Sequence, residues 1–300
     1  MNKSLRFSHK ILLAASLIVI LAFSLFTLYN DYLQRNAIRE DLENYLAEMG
    51  ESTSTNIRNL FEGRIKLVEN LAQNIAQAPN DAETLMGQNA LITSFLTVYL
   101  GKVDGGFSVR PDAKMPDGYD PRTRPWYKDA MTAGGTTLTE PYIDAATKQL
   151  IITIATPAQA TGVVGGDLSL QTLVQIINSL DFDGMGYAFL VSSDGKILVH
   201  PNQDLVMKSL RDVFPKDTPR ITQELSEVEL DGVTRLLTFA PVKGLPGVTW
   251  HVGLSIDKAK AYAMLSTFRT SAIIAMVIAV VSLIFLLSLL IQVLMRPLRS

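Results

Sequence analysis

Two long uncharged runs limit what this chain of 300 residues can fold into. Neither Ile11–Tyr29 nor Ser271–Met295 contains an Asp, Glu, Lys or Arg residue. Each run is long enough to cross about 30 Å of hydrocarbon as a helix that rises about 1.5 Å per residue. The sequence therefore predicts two transmembrane helices, at 11–29 and 271–295, and the region between them is long enough for two ordinary modules.

Basic residues beside the two runs predict the orientation of the chain. The residues that carry this argument are Lys3, Arg6, Lys10, Arg296 and Arg299. Because basic residues concentrate on the cytoplasmic side of a membrane, we expect both termini in the cytoplasm and the middle region outside. The alternative for the first run is a cleaved signal peptide, but the run is longer than usual for one and offers no small-residue cleavage site.

The composition gives no support to several other classes of function. Cysteine is absent, so disulfide and thiolate chemistry are both unavailable. The net charge of −2 gives no indication of nucleic-acid binding. The histidines His9, His200 and His251 lack the spacing of a metal site, and no phosphate loop, G-x-S-x-G or H-E-x-x-H motif occurs. We therefore predict no cofactor, no metal and no enzymatic activity.

The region between the runs reads as one long helix followed by two mixed modules. Apolar residues recur every three or four positions over 30–80, apart from one gap of eight across the polar segment Glu51–Asn56, and this spacing predicts a helix of about 70 Å. Its apolar stripe could contact a second copy of the chain or pack on its own domain. Hairpin signals dominate 81–182 and 183–256, so the predicted fold class is α+β with antiparallel sheets. An exit helix is expected at 257–270.

Two local expectations belong to this reading. The sequence predicts a strand over Phe95–Leu100 and a helix over Val206–Val213.

The densest cluster of unusual side chains lies in the first module. Its members are Tyr119, Arg124, Trp126, Tyr127, Tyr142, Asp144 and Asp167. Arg124 offers a planar fork to a carboxylate, and Trp126 and Tyr127 are further donors for it. The two aspartates can accept from an ammonium group, with the other two tyrosines beside them. This set suits an amino acid, which carries both charged groups on one carbon.

A purely structural role for the same residues also has to be considered. Arg124 could pair with Asp144 or Asp120, while the aromatic residues could belong to the core. Asp167 shares a strand face with Val163 and with a glycine two residues before it. If that face is buried, this acid requires a cationic or hydrogen-bonding partner.

The sequence resembles the bacterial methyl-accepting chemotaxis receptors whose extracytoplasmic sensor is a double Cache domain. All seven residues of the cluster match, in order and spacing, the amino-acid-recognition motif of that family. The similarity extends over the long helix, both modules and both membrane runs. The chain is especially similar to the Pct group of pseudomonad amino-acid chemoreceptors.

The resemblance implies the roles of these residues. It implies two PAS-like modules, with an L-amino acid bound in the membrane-distal module, 81–182, and with 183–256 as the membrane-proximal module. The counterparts of Arg124, Trp126 and Tyr127 contact the ligand carboxylate. The counterparts that contact the ligand amino group are Tyr119, Tyr142, Asp144 and Asp167.

The resemblance also implies the cellular setting. It implies a two-pass protein of the bacterial inner membrane with a periplasmic sensor, and a homodimer formed through the long helix. Residues 296–300 are similar to the start of a HAMP linker, so the sequence reads as the sensor portion of a longer receptor. A chemotaxis kinase and its coupling protein are then the expected cytoplasmic partners.

Three rival functions stay open at this stage. They are a receptor for amines such as polyamines or histamine, a sensor for a histidine kinase or a cyclic-dinucleotide enzyme, and a membrane-tethered periplasmic enzyme that uses Asp144 and Asp167 as acid and base. The membrane-proximal module has no comparable cluster and is expected to act as a coupler. The ligand side chain is expected to contact Phe107–Arg110 and Thr137–Thr139.

Overall fold

The computed structural model describes residues 7–179, 182 and 184–295. The predicted start of a HAMP linker, 296–300, lies outside the described residues, as do Arg296 and Arg299. The chain divides into two compact units, of which one is Tyr45–Lys258 and the other combines Met1–Asn44 with Ala259–Ser300.

The chain contains both helices and antiparallel strands, as the α+β prediction requires. The helices are α1 (Phe7–Gln77), α2 (Ala82–Met86), α3 (Asn89–Ser94), α4 (Pro125–Ala133), α5 (Leu170–Ile177), α6 (Leu210–Val213) and α7 (Lys258–Met295), with 3-10 turns at Pro79–Asp81, Pro121–Thr123 and Gln203–Leu205. The strands are β1 (Val98–Lys102), β2 (Phe107–Arg110), β3 (Thr137–Leu138), β4 (Tyr142–Ile143), β5 (Leu150–Pro157), β6 (Gly162–Ser169), β7 (Gly186–Ser192), β8 (Ile197–Val199), β9 (Ser226–Leu230), β10 (Val233–Val242) and β11 (Trp250–Asp257).

The unit that contains both uncharged runs is helical where it is described. The helices α1 and α7 each contain a stretch that is apolar and long enough to cross a membrane, within α1 near the N-terminus and at Ile273–Met295. Neither stretch is buried by the rest of the chain. Within this unit, the hydroxyl group of Thr27 donates to the sulfur atom of Met276 across 2.9 Å.

The unit Tyr45–Lys258 contains two antiparallel sheets with the same strand topology. The first has the order β2-β1-β6-β5-β3, with β4 also paired to β5, and the second has the order β8-β7-β11-β10-β9. Each sheet forms from neighbouring hairpins, because short turns such as Ala158–Thr161 let consecutive strands pair directly. The predicted α+β fold with two antiparallel modules is therefore confirmed.

The second half of α1 packs on its own domain. Phe61 contacts Trp250 of β11 edge-to-face with ring centroids 5.9 Å apart, and a Cβ atom added to Gly50 would lie 3.3 Å from Ala240 of β10. The buried stripe follows the helical spacing of the sequence from Ile57 to Ile75. Burial of each large apolar side chain of this kind stabilises a fold by about 1.5–3 kcal/mol.

The two modules of this unit are joined by polar contacts. The side-chain amide of Asn178, just after α5, donates to the Ala188 carbonyl oxygen at 3.0 Å and accepts from the Ala188 N–H at 2.7 Å. Lys196, in the turn between β7 and β8, forms an ion pair of 2.9 Å with Glu140 of the first module. The contact therefore uses side chains of both modules and the backbone of the second.

Two local expectations differ from the structure. The predicted strand Phe95–Leu100 begins three residues later as β1, because α3 continues to Ser94 and Phe95 packs against Gly166. The predicted helix Val206–Val213 is limited to α6. Met207 has a positive φ of 70°, and the side chain of Ser209 caps the shorter helix.

Candidate functional site

A small cavity lies in the first module between the face of β1 and β2 and the segments that precede α4 and follow β4. The residues that line it are Thr97, Tyr99, Phe107, Val109, Ala113, Met115, Tyr119, Arg124, Trp126, Tyr142, Asp144, Ala145, Ala146 and Thr147. Five residues of the predicted cluster are therefore in its wall. The other two, Tyr127 and Asp167, lie behind it.

Arg124 occupies the position just before α4, where Pro125 begins the helix. One of its terminal nitrogen atoms donates to the carbonyl oxygen of Ile143 at 2.8 Å, and its guanidinium carbon lies 5.5 Å from the centre of the Tyr142 ring. Asp120 pairs with Arg122 at 2.9 Å instead. Within the described part of the chain, Arg124 thus forms no structural ion pair with either aspartate considered above.

Asp144 is oriented by the turn that follows β4. Its Oδ2 atom accepts from the backbone N–H of Thr147 at 2.8 Å and from the Thr147 hydroxyl at 2.6 Å. An aspartate that caps its own turn in this way is held in one orientation. Because both Arg124 and Asp144 contribute to the same cavity wall, this wall presents a cation and an anion to one small space.

Asp167 is almost completely buried, with 1% of its surface exposed, and its carboxylate accepts from three hydroxyl groups. Tyr99 donates to Oδ1 at 2.5 Å, Thr153 donates to Oδ1 at 2.7 Å and Thr97 donates to Oδ2 at 2.9 Å. The hydrogen-bonding partners that its strand face required are therefore hydroxyl groups. Burial raises the pKa of Asp167 to about 7, and the three hydroxyl groups act in the opposite direction.

Tyr99 can reach Asp167 because the residue opposite it on the neighbouring strand is a glycine, which has no side chain. Tyr99 of β1 is directly opposite Gly165 of β6, and a Cβ atom added to this glycine would lie only 2.3 Å from the Tyr99 ring. The ring therefore lies across β6 and carries its hydroxyl group to the acid two residues further along. Tyr99 also lines the cavity, so it links the wall to the buried carboxylate.

The aromatic residues of the cluster have different positions. Trp126 and Tyr127 are buried with their ring centroids 5.7 Å apart, and Trp126 also packs on Tyr99 at 4.6 Å. Burial raises the pKa of Tyr119 to about 12, while a hydrogen bond from the Trp126 side chain acts in the other direction. The hydroxyl group of Tyr142 lies 2.5 Å from that of Thr153. Tyr127 is therefore part of the support beneath the cavity.

The positions expected for a ligand side chain are only partly in the wall. Phe107 and Val109 line the cavity. Thr137 and Leu138 form β3, which pairs with the far side of β5, and the Thr139 hydroxyl accepts from the Thr153 N–H. Thr137–Thr139 are not among the residues that line the cavity, so this part of the expectation stays a prediction. Met115 and Ala145–Thr147 form the corresponding part of the wall.

The second module has the same framework with different side chains. Phe189 of β7 is opposite Gly253 of β11, as Tyr99 is opposite Gly165. Two residues after the glycine, Ser255 takes the position of Asp167. Leu237 takes the position of Thr153, because Leu237 is opposite Ser255 as Thr153 is opposite Asp167. The corresponding face is filled by an apolar cluster that includes Phe189, Leu210, Phe214, Leu237 and Phe239.

Comparison with known proteins agrees with this architecture. A family model for the Cache domain matches residues 34–265. Because this match covers most of the chain, the chain belongs to the Cache domain family. Two candidate membrane helices and a Cache domain are together consistent with a receptor of the inner membrane.

The chain is similar to one curated protein and to two solved ligand-binding domains in complex with amino acids. The chain is 77% identical over 301 residues to the methyl-accepting chemotaxis protein McpG of Pseudomonas putida, which covers 100% of the chain and 48% of that relative. The ligand-binding domain of the Pseudomonas aeruginosa PAO1 chemoreceptor PctB in complex with L-Arg is 59% identical, with a TM-score of 0.73 over 75% of the chain and 98% of that domain. The ligand-binding domain of the Pseudomonas fluorescens chemoreceptor CtaA in complex with L-isoleucine is also 59% identical, with a TM-score of 0.72 over 77% of the chain and 98% of that domain. The chain thus spans about half the length of the curated relative McpG.

Proposed function

We propose that this chain is the sensor portion of a chemotaxis receptor that binds amino acids in the cavity of its first module. The observation that carries the proposal is the presence of both Arg124 and Asp144 in one cavity wall, with the buried Asp167 behind it. A cation at one point and acids at another suit a zwitterion, whose two charged groups need opposite partners. The relatives bound to L-Arg and L-isoleucine support the same class of ligand.

Each residue of the cluster has a role in this proposal. Arg124 grips the carboxylate with its planar fork. Trp126 and Tyr127 are assigned to the same end, with Tyr127 packed against Trp126 behind the cavity wall. The residues assigned to the amino group are Tyr119, Tyr142, Asp144 and Asp167. Asp167 acts through the wall, because Tyr99 and Thr97 separate part of its carboxylate from the cavity.

The setting of the receptor follows from its two membrane runs. We propose an inner-membrane protein with residues 30–270 in the periplasm, 81–182 as the ligand-binding module and 183–256 as a coupling module. A homodimer through α1, and a chemotaxis kinase with its coupling protein on the cytoplasmic side, are parts of the same proposal. Catalysis has no place in it.

The test is a thermal-shift and calorimetric screen of the full chain in lipid nanodiscs. The compounds are the twenty L-amino acids, their decarboxylated amines and γ-aminobutyrate, in which the two charged groups are further apart. A zwitterion that binds should raise the unfolding temperature by mass action, and its amine should not. Binding of amines alone would favour an amine receptor, chemical turnover of a compound would favour an enzyme, and no binding at all would contradict the proposal.

A further inference from the structure

Asp167 combines two properties that a simple ammonium-binding acid does not need. It is the only carboxylate among the buried polar residues of the described chain, and no Lys or Arg of that part forms an ion pair with it. Its partners are the hydroxyl groups of Thr97, Tyr99 and Thr153. A charge buried without a cation is costly, whereas a neutral carboxyl group at the same place is not.

The three hydroxyl groups suit both protonation states of this acid. A hydroxyl group can donate to a carboxylate, and it can also rotate to accept the proton of a neutral carboxyl group. The hydroxyl oxygen of Tyr99 lies 3.1 Å from that of Thr153 and 3.4 Å from that of Tyr142. The hydroxyl protons of these three residues can therefore reorient together. The shell therefore holds the Asp167 side chain in place whether or not the acid is charged.

The other charged groups around the cavity act on Asp167 from several directions. Asp144, after β4, raises the pKa of Asp167 further, in addition to the effect of burial. Tyr99 of β1 and Tyr142 of β4 have raised pKa values themselves, because they are buried and lie beside Asp167. Arg124 and Tyr119 also face the cavity. Among the described residues, the cavity wall and its support thus contain two acids that interact electrostatically and one guanidinium group, that of Arg124.

We propose that binding of an amino acid at this site is coupled to the loss of a proton from Asp167, and that Tyr99 and Thr153 are the positioning residues that make this coupling possible. Near neutral pH the acid is protonated in a large fraction of empty sites. When the ligand ammonium group arrives, it favours the charged form, and the proton leaves to solvent. This inference rests on the proposed function, since it requires a ligand that carries an ammonium group.

The coupling predicts a definite pH dependence. If the ligand binds only to the charged acid, affinity is constant above about pH 8 and falls about tenfold for each pH unit below 7. Calorimetry in two buffers with different heats of ionisation should detect close to one proton released per ligand at pH 6 and almost none at pH 8.5. The ligand ammonium group itself stays mostly protonated over this range.

The experiment uses the full chain in lipid nanodiscs, titrated between pH 5.5 and 8.5. The probes are L-arginine, L-isoleucine and γ-aminobutyrate, and the pH series is run with whichever binds at pH 8.5. Affinity that is the same at pH 6 and pH 8, or no proton release at pH 6, would overturn the coupling and leave the proposed function intact. If none of the three probes binds, the pH series uses any L-amino acid that binds in the screen of twenty, and failure of all twenty to bind at pH 8.5 would instead overturn the proposed function.

Variants separate the positioning role from a merely structural one. Asp167→Asn should weaken binding and remove its pH dependence, because an amide does not titrate. Tyr99→Phe and Thr153→Val should move the midpoint of the pH profile upward, since each removes a donor that favours the charged acid. Thr153→Ser keeps its hydroxyl group and should keep the wild-type midpoint.

Asp129→Asn is the matched control. Asp129 is on α4 in the same module, and burial raises its pKa too, but it does not line the cavity. It should leave the pH profile of binding unchanged. A slope retained in Asp167→Asn, or an unmoved midpoint in both Tyr99→Phe and Thr153→Val, contradicts the proposal.

Discussion

Thr153 is directly opposite Asp167 in the ladder between β5 and β6, and its hydroxyl group donates to Oδ1 of Asp167 across 2.7 Å. The pairing is a consequence of strand register, because residues directly opposite each other in an antiparallel pair point to the same face. One hairpin therefore supplies both the buried acid and one of its donors. Tyr99 comes from the next strand on the other side of β6.

A buried acid of this kind should make the empty domain less stable as the pH rises. The pKa of Asp167 is about 7 in the folded chain, against an ordinary value of 3.8. The contribution of protonated Asp167 to the free energy of unfolding is therefore fully present below pH 4 and is lost as the pH rises through 7. At pH 8, Asp167→Asn should therefore be more stable than the wild type by up to about 4 kcal/mol of unfolding free energy, and it should unfold at a higher temperature. At pH 4 the two proteins should unfold at similar temperatures.

Thermal unfolding of the unliganded chain at both pH values tests this expectation. Asp129→Asn is again the control, and it should give a much smaller difference because Asp129 is more exposed. If Asp167→Asn is less stable than the wild type at pH 8, the charge on Asp167 does not have the predicted cost.

Arg124 should be needed for its shape as well as its charge. Arg124→Lys keeps a positive charge but loses the planar fork, so affinity for an amino acid should fall about 10- to 100-fold, which corresponds to about 1.5–3 kcal/mol. Arg122→Lys is a matched control, because Arg122 pairs with Asp120 and does not line the cavity. Calorimetry at pH 8 measures both variants, and equal losses in the two would argue against a specific role for Arg124.

His200 should make the second module sensitive to acid. Its side chain is buried, and burial lowers the pKa of His200 to about 4 from the ordinary value of 6.5. The stability that depends on neutral His200 is therefore present above pH 6.5 and is lost as the pH falls towards and through 4. Its size is about 3 kcal/mol. His200→Gln should flatten this part of the pH dependence of unfolding, and an unchanged slope would exclude His200 as its source.

Asn178 should contribute to stability through the contact between the modules. Asn178→Ala leaves the N–H and the carbonyl group of Ala188 without their side-chain partners, which should cost about 1–3 kcal/mol. Asn74→Ala is the control, because Asn74 is bonded to Asn70 on the exposed side of α1. Chemical denaturation of both variants measures the difference, and a cost no greater than that of Asn74→Ala would contradict the expected role of the amide.

Much of the fold could be predicted because apolar spacing and turn signals are local. The long helix and the β5–β6 hairpin follow from them directly. The strand β9 was missed, since its exposed residues Glu227 and Glu229 give it little apolar character. The burial of Gly50, Thr53 and Ser54 in α1 could not be predicted from the apolar spacing, because none of the three is a large apolar residue.

The candidate site was predictable in its charged groups and not in their support. Arg124 and Asp144 stand out as residue types within a short segment, and both are in the cavity wall. Tyr99 and Thr97 are ordinary strand residues, and their role depends on neighbours about 70 positions away. Thr153 could have been found by counting the register back from the hairpin turn, but only once Asp167 had been recognised as the acid that needs a donor.

The aromatic–glycine pair that occurs in both sheets has a consequence for how the modules can diverge. Because Tyr99–Gly165 and Phe189–Gly253 occupy matching positions, the residues of the two sheets can be aligned one by one. In this alignment the two modules differ at the acid and at two of its donors. Tyr99, Asp167 and Thr153 of the first module correspond to Phe189, Ser255 and Leu237 of the second. The same strand register thus carries a hydrogen-bonded acid in the first module and an apolar cluster in the second.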